Sequence, residues 1–319
     1  MRPTGKLHIG HYFGVLQNWV SLQKDFQCYF FVADWHSLTT EYADPKVIEK
    51  SLVDMVIDWI AAGIDPSMAT LFVQSHVPEV AELHILLSMI TPLPWLERVP
   101  SYKELRAELT DRDLSTYGFL GYPLLQTADI LLYKANAVPV GQDQSAHIEL
   151  AREIVRRFNH LYKPVFPEPE TLLTAFARVL GTDGRKMSKS YDNCVFLSEP
   201  SADANKKILR SVTDPARVRR EDPGNPDVCP VYANHHLVTP PARRKEIDRG
   251  CRTAAIGCID CKKILIEGLD KELAAFRERR LKISKKPEEV RDILEEGMKK
   301  AQKVARETLG QVKEAMGIS

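Results

Sequence analysis

A short aromatic and β-branched run, Gln27 to Ala33, precedes a segment of helical period from Pro45 to Gly63 and a second β-rich run from Ala69 to Gln74, and no other feature of the chain restricts its fold as much. Val47, Ile48, Leu52, Met55, Val56 and Ile60 recur at close to helical spacing between the two runs. Strand, helix and strand in this order predict a right-handed parallel crossover, hence an α/β sheet of Rossmann-like type. The pattern repeats further on: Thr127 to Tyr133 reads as helix, and Ala137-Val138-Pro139-Val140 as a short strand ending in Gly141-Gln142-Asp143-Gln144. Ligands of such sheets bind at the carboxyl ends of the strands. Asp34-Trp35-His36 and Gly141-Gln142-Asp143 both stand at such ends and are expected to face one pocket.

The chain of 319 residues is long enough for two domains, each with its own core. After about residue 190 strand signals cease, and helical segments follow on either side of Asp222-Pro223-Gly224-Asn225-Pro226. The expected division is a catalytic domain over 1–190 with a helical insertion at about 76–120, a smaller all-helical domain over 191–286, and a C-terminal helix over 287–319. The last is expected as one helix of about 29 residues, because Val290, Leu294, Ala301, Ala305, Leu309 and Val312 fall on one stripe. Met1-Arg2-Pro3-Thr4-Gly5 lacks the apolar core of a signal peptide, and no stretch nears the roughly 18 apolar residues of a membrane span, so a cytoplasmic protein is expected. Net charge is only +1, so a nucleic-acid partner must be held by a local basic surface. Arg243 to Lys286 carries fourteen Lys or Arg against seven Asp or Glu, an excess of seven. Charge alone fits a solvated helix face equally well.

Two segments carry phosphate chemistry. Pro3-Thr4-Gly5-Lys6-Leu7-His8-Ile9-Gly10-His11 puts two imidazoles on one side of a helix's first turn, where free backbone N–H groups and the helix dipole favour a phosphate tail. Gly10 between them leaves room for adenine or ribose. Gly181-Thr182-Asp183-Gly184-Arg185-Lys186-Met187-Ser188-Lys189-Ser190 is a Gly-bearing loop presenting two lysines and two hydroxyls. Ammonium groups that meet a phosphoryl centre as its charge builds lower the barrier rather than the ground state. Each segment alone has a bland reading, surface histidines in one case and a solvated turn in the other. Their occurrence in this order, about 175 residues apart, does not.

His8-Ile9-Gly10-His11 and Lys186-Met187-Ser188-Lys189-Ser190 resemble the two signatures of class I aminoacyl-tRNA synthetases, and the resemblance extends over nearly the whole chain. Tyr122-Pro123-Leu124-Leu125-Gln126-Thr127-Ala128-Asp129-Ile130-Leu131-Leu132-Tyr133 looks like the tryptophanyl branch rather than the tyrosyl one. The resemblance implies activation of L-tryptophan with ATP and Mg2+, and transfer to tRNA(Trp). It assigns phosphate chemistry to His8, His11, Lys186 and Lys189. ATP contacts are implied for Arg2, Pro3, Thr4, Gly10, Gly141, Gln142, Asp143, Val179, Met187, Ser188 and Ser190. Tryptophan contacts are implied for His36, Tyr122, Asp129 and Gln144. Asp129 has its own physical case: a carboxylate in an apolar helix is costly unless paired, and indole N–H is a donor that phenylalanine lacks. The alternative is a carboxylate that caps backbone or pairs with Lys134. The resemblance also implies a homodimer through the region from His76 to Arg112, and anticodon contact by the basic helical domain.

Cys229, Cys251, Cys258 and Cys261 form C-x21-C-x6-C-x2-C, a spacing that suits tetrahedral Zn2+ or a 4Fe-4S cluster and does not choose between them, with free thiols as the plain alternative. Asp222 to Cys229 and Gly250 to Thr253 resemble bacterial relatives that carry the iron-sulfur cluster, and this favours the latter. Two departures from the family stand out. Relatives normally begin with a strand and a Ser-Gly turn ahead of the segment matching Arg2 to Gly5, so an internal methionine is expected at Met1, a point that mass spectrometry of the native N-terminus decides. Many tryptophanyl relatives also have Thr and Asn in place of the two histidines. The rival readings are a tyrosyl enzyme and a synthetase-like tRNA-binding or regulatory protein without catalysis.

Overall fold

The computed structural model describes residues 1–100, 102–103, 113–173 and 179–318. A single helical turn, α1 (Ile9–His11), runs through a π-helical turn, Tyr12–Leu16, into α2 (Gln17–Leu22). Next come β1 (Cys28–Val32), α3 (Asp34–Glu41), α4 (Lys46–Ala62) and β2 (Ala69–Val73). The two strands pair in parallel, Cys28 opposite Ala69 and Val32 opposite Val73, as the strand-helix-strand reading requires. α4 stops where Gly63 takes φ +115°, a left-handed conformation that costs glycine little.

Both faces of this pair are covered, which is why the strands read as unbroken apolar runs. Phe30, Val32, Leu71 and Val73 face a core shared with Met55, Val56 and Trp59 of α4. Phe72 faces a second core, against which Tyr29 and Phe31 also pack. That second core is built from α5 (Glu79–Ser88), α6 (Leu93–Glu97), α7 (Tyr117–Leu132) and α8 (Ser145–Leu161). β3 (Ala137–Val140) lies between α7 and α8 in sequence and pairs in parallel with β4 (Glu170–Leu173). The sequence reading found β3 but not β4, whose four residues Glu-Thr-Leu-Leu carry too little apolar character to stand out. Among the described residues the strands thus form two separate two-stranded parallel sheets. A cavity between them is walled by Cys28 to Phe31 of β1 and by Ala137 to Pro139 of β3. Met1 sits in its wall, donating from its α-amine to Phe31 O at 2.6 Å and accepting from Ala33 N–H at 2.8 Å. Burial brings that amine down to about 5.

Beyond Leu173 the described residues form helices and short turns, with isolated bridges Leu180–Lys186 and His8–Phe196. The helices are α9 (Ser201–Arg210), α10 (Pro230–Val238), α11 (Pro241–Arg252), α12 (Cys258–Ile283) and α13 (Pro287–Met316). α12 buries Leu265, Leu269, Leu273 and Phe276 in the first core. α13 has 30 residues and joins the two cores, with Val290 and Leu294 in the first and Ala301, Ala305, Leu309 and Val312 in the second.

Candidate active site

His8 caps α1, and the geometry fixes both imidazoles. Gly10 N–H donates to His8 Nδ1 at 3.1 Å, and His8 N–H donates to His11 Nδ1 at 3.2 Å. With each Nδ1 accepting, each proton resides on Nε2, so both rings are neutral donors there. Burial keeps them neutral: His8 is lowered to about 4, with Lys189 and Lys186 adding to the effect, and His11 lies well below the ordinary histidine value. The rings lie 3.9 Å apart, a separation that two imidazolium charges would resist. Gly10 also makes room within the protein itself. A Cβ there would stand 2.8 Å from the His8 ring and 3.7 Å from Val179 Cβ, so the missing side chain admits His8. Val179, assigned by resemblance alone, is thereby placed beside the histidine segment.

The lysine loop is a small hairpin pinned by a residue that sequence reasoning missed. Asn193, buried, accepts from Ser188 N–H at 2.8 Å and donates to Asp183 Oδ1 at 2.7 Å and to Lys186 O at 3.2 Å. Gly181 makes room for it, since a Cβ there would lie 2.2 Å from Asn193 Nδ2. Met187 is buried and anchors the loop, whereas Lys186 and Ser190 are exposed. Lys189 folds inward: its Nζ donates to Thr4 O at 2.8 Å, Thr4 Oγ1 at 3.1 Å and Gly5 O at 3.3 Å. Burial lowers its ammonium to about 8. The two signature segments, far apart in sequence, are therefore joined directly.

Two residues before Thr4, Arg2 enters the wall of a cavity of about 650 Å3 that also takes in His36, Tyr122, Asp129 and Gln144. The Arg2 guanidinium bonds the Thr40 hydroxyl on α3. Asp129, on α7 and only 5% exposed, accepts from Gln74 Nε2 at 2.9 Å on both carboxylate oxygens, and its Oδ2 lies 2.8 Å from His36 Nε2. Lys134, the alternative partner, instead donates to Gln311 on α13. His147 links the other two: its Nδ1 lies 2.7 Å from Gln144 Oε1 and its Nε2 3.3 Å from the Tyr122 hydroxyl. His147 lies three residues beyond Gln144 near the start of α8, so helical spacing was the signal for it. Gly141 and Gln142 lead into the turn that carries Gln144, with Gln142 exposed. The side chain of Asp143 lies outside the described residues. So do residues 101 and 104–112, which fall in the stretch assigned to the homodimer contact.

All four clustered cysteines border one small cavity, together with Arg217, Val231, Ile247 and Ile256. Cys229 caps α10, Cys251 lies on α11, and Cys258 and Cys261 occupy the first turn of α12. The buried Arg217 guanidinium stands 3.9 Å from Cys251 Sγ, and Cys261 Sγ is 3.3 Å from His235 Nε2. Among the described residues no group of three or more His, Cys, Asp or Glu side chains is arranged to hold a metal ion. All four are soft donors, and the Arg217 cation stands beside one of them.

Residues 1–274 match the family described as tRNA synthetases class I (W and Y). The chain is 53% identical to the tryptophan–tRNA ligase of Thermotoga maritima, with 100% of this chain and 98% of that protein covered. It is 45% identical to the corresponding protein of Ralstonia nicotianae, with 100% and 97% covered. The structure of the Campylobacter jejuni tryptophanyl-tRNA synthetase complexed with ADP and tryptophan superposes with a TM-score of 0.88 at 33% identity, covering 99% of this chain and 98% of that one. With two signature segments joined through Lys189 beside a cavity holding a buried carboxylate, and with relatives this similar over their full length, the chain belongs to the tryptophanyl-tRNA synthetase family of class I.

Proposed function

We propose the following division of labour for the reaction of the family, ATP-dependent activation of L-tryptophan and its transfer to tRNA(Trp). The tryptophan carboxylate attacks the α-phosphorus of ATP, the bond to pyrophosphate breaks, and tryptophanyl-adenylate results. A ribose hydroxyl of the tRNA terminus then attacks the activated carbonyl and AMP departs. Asp129 accepts the indole N–H, Tyr122 and Gln144 receive the substrate ammonium, and His36 closes the cavity. His8 and His11 donate from Nε2 to ATP oxygens, and Arg2, Pro3, Thr4, Gly10, Gly141, Gln142, Asp143 and Val179 line the nucleotide. Met187 anchors the loop that brings Lys186, Ser188, Lys189 and Ser190 to the phosphates, and Mg2+ accompanies the triphosphate as a hard cation. The observation that carries this reading is the Lys189 to Thr4 bond, which sets the second signature against the first beside the cavity. Lys186→Ala is expected to slow tryptophan-dependent pyrophosphate exchange about 100-fold or more while tryptophan affinity changes little, as loss of a transition-state contact requires. An exchange rate equal to that of the parent protein would remove Lys186 from this role.

The four-cysteine cavity is read as the seat of a 4Fe-4S cluster, with Zn2+ as the alternative. Four soft donors bordering one cavity, the adjacent Arg217, and the likeness of Asp222 to Cys229 and of Gly250 to Thr253 to cluster-bearing relatives support this reading. When bound, the group would supply covalent ties among α10, α11 and α12, and no step of the reaction passes through it. Anaerobic purification is expected to yield about four iron and four sulfide per chain; one zinc with no sulfide would establish the alternative. The domain ranges 1–190, 191–286 and 287–319 are retained on this reading, with the basic helical part contacting the anticodon. Exposed Ile85 on α5, Met89 just after it and Leu93 at the start of α6 favour pairing with a second copy through that face. A sedimentation mass of one chain would count against the dimer.

A further inference from the structure

We infer that Gln74, which stands at the carboxyl end of β2 and lies outside the cavity wall, is a positioning residue for amino-acid selection: its amide holds the Asp129 carboxylate in the orientation that accepts indole N–H. The inference rests on the reading of Asp129 given above and deepens it. Asp129 borders the cavity, so a carboxylate left to itself could rotate away from the ligand or toward water. Gln74 Nε2 lies 2.9 Å from each of its oxygens, the symmetric placement that fixes the carboxylate plane. Gln74 is 0% exposed, so burial itself restrains its side chain. Its Oε1 is buried with no hydrogen-bond partner. An amide kept in place at the cost of one unsatisfied acceptor is retained for what its N–H does. A charge-assisted bond of this kind also raises the free energy of swinging the carboxylate away, which preorganises the site before tryptophan arrives. His36 shares Oδ2 at 2.8 Å but lies in the cavity wall, where an incoming indole meets it. Gln74 makes its contact from behind, where the ligand does not reach.

The test compares tryptophan with its sulfur analogue β-(benzothiophen-3-yl)alanine, which has nearly the same shape and lacks the ring N–H. Pyrophosphate exchange is measured for the full chain, for Gln74→Met, which keeps the length and removes the donor, and for Asp129→Asn. In Gln74→Met, KM for tryptophan is expected to rise about 10- to 100-fold while KM and kcat for the analogue stay near the parent values. Retention of the analogue reaction also shows that the variant folds. Gln74→Glu supplies an independent readout. Its carboxylic acid can donate to Asp129 only when protonated, so KM for tryptophan should fall as pH drops from about 8 to about 6, with no such trend for the analogue. Equal changes for both substrates in Gln74→Met, or a flat pH profile for Gln74→Glu, would overturn the positioning role. If Asp129→Asn discriminates between the substrates but neither Gln74 variant does, the positioning role fails and the reading of Asp129 stands. If Asp129→Asn does not discriminate, both fail.

Discussion

Lys186 and Lys189 share a loop but not an environment. Lys186 reaches into solvent, whereas Lys189 is tied to Thr4 and Gly5, and burial brings its ammonium down to about 8. A charge needed for the reaction is then about nine-tenths present at pH 7 and is lost as pH rises through about 8, so pyrophosphate exchange should decline across that range. Lys189→Arg carries a guanidinium that stays charged there. At whatever rate it retains, it should show no alkaline decline below pH 9, and persistence of the decline would place the titrating group elsewhere. The identity of both lysines was legible in the sequence, because a basic loop of that composition seldom accompanies a paired-histidine turn. Their inequality was not, since it arises from a contact made across 185 residues. Asn193 escaped for the same reason: a lone asparagine near a loop has no local pattern, and only the folded hairpin reveals the three groups it joins. Asp129 was found because an acid in an apolar helix is anomalous, while Gln74 behind it sat unremarked at the end of a strand reading.

The elements that sequence periodicity identified best are those whose burial pattern is local. β1, β2 and α4 follow their expected limits within a residue or so at each end, and α13 emerges as one helix of 30 residues. What periodicity could not give is the reason for Gly297 in the buried stripe of α13. A Cβ at this position would lie 1.8 Å from Leu71 O and 2.7 Å from Leu71 C, so the helix lies directly on the β2 backbone. β2 pairs with β1, and α13 covers β2 backbone that would otherwise invite further pairing. Gly297→Ala must push helix and strand apart, because the atoms it meets are backbone and cannot rotate away. The expected loss is about 1–3 kcal/mol in urea unfolding, despite the better helix propensity of alanine. A variant as stable as the parent or more so would show that the contact is looser than its geometry. β4 was missed because four residues with two polar side chains offer too little signal, and its pairing with β3 is a tertiary fact.

Across the whole molecule the nucleotide segments and the cavity depend on contacts between distant parts of the chain. Arg280 at the end of α12 bonds Asp58 on α4 at 2.6 Å and also Asp54, while Tyr12 and Gln17 beside α1 reach Glu272 on α12. These contacts brace α12, which follows the lysine loop, against α4 and against the turns that follow the histidines, so the two signatures meet on a stiff frame. The α/β class could be read from order and spacing alone, whereas of the two strand-end segments expected at one pocket only His36 lines the cavity. The split into two strand pairs with a cavity between them could not, since it depends on which edges pair. On the proposed reading, one cavity selects indole by a buried acid and presents it to ATP held by both signatures. The most direct measurement is amino-acid-dependent pyrophosphate exchange by the full chain with tryptophan, tyrosine and phenylalanine in turn. The expected result is saturable exchange with tryptophan, kcat/KM lower by about 10,000-fold for phenylalanine, as a hydrogen-bonding pocket imposes on an analogue without the donor, and only weak exchange with tyrosine, whose phenol O–H does not stand where the indole N–H does. Comparable exchange with tyrosine, or none with any of the three, would contradict it.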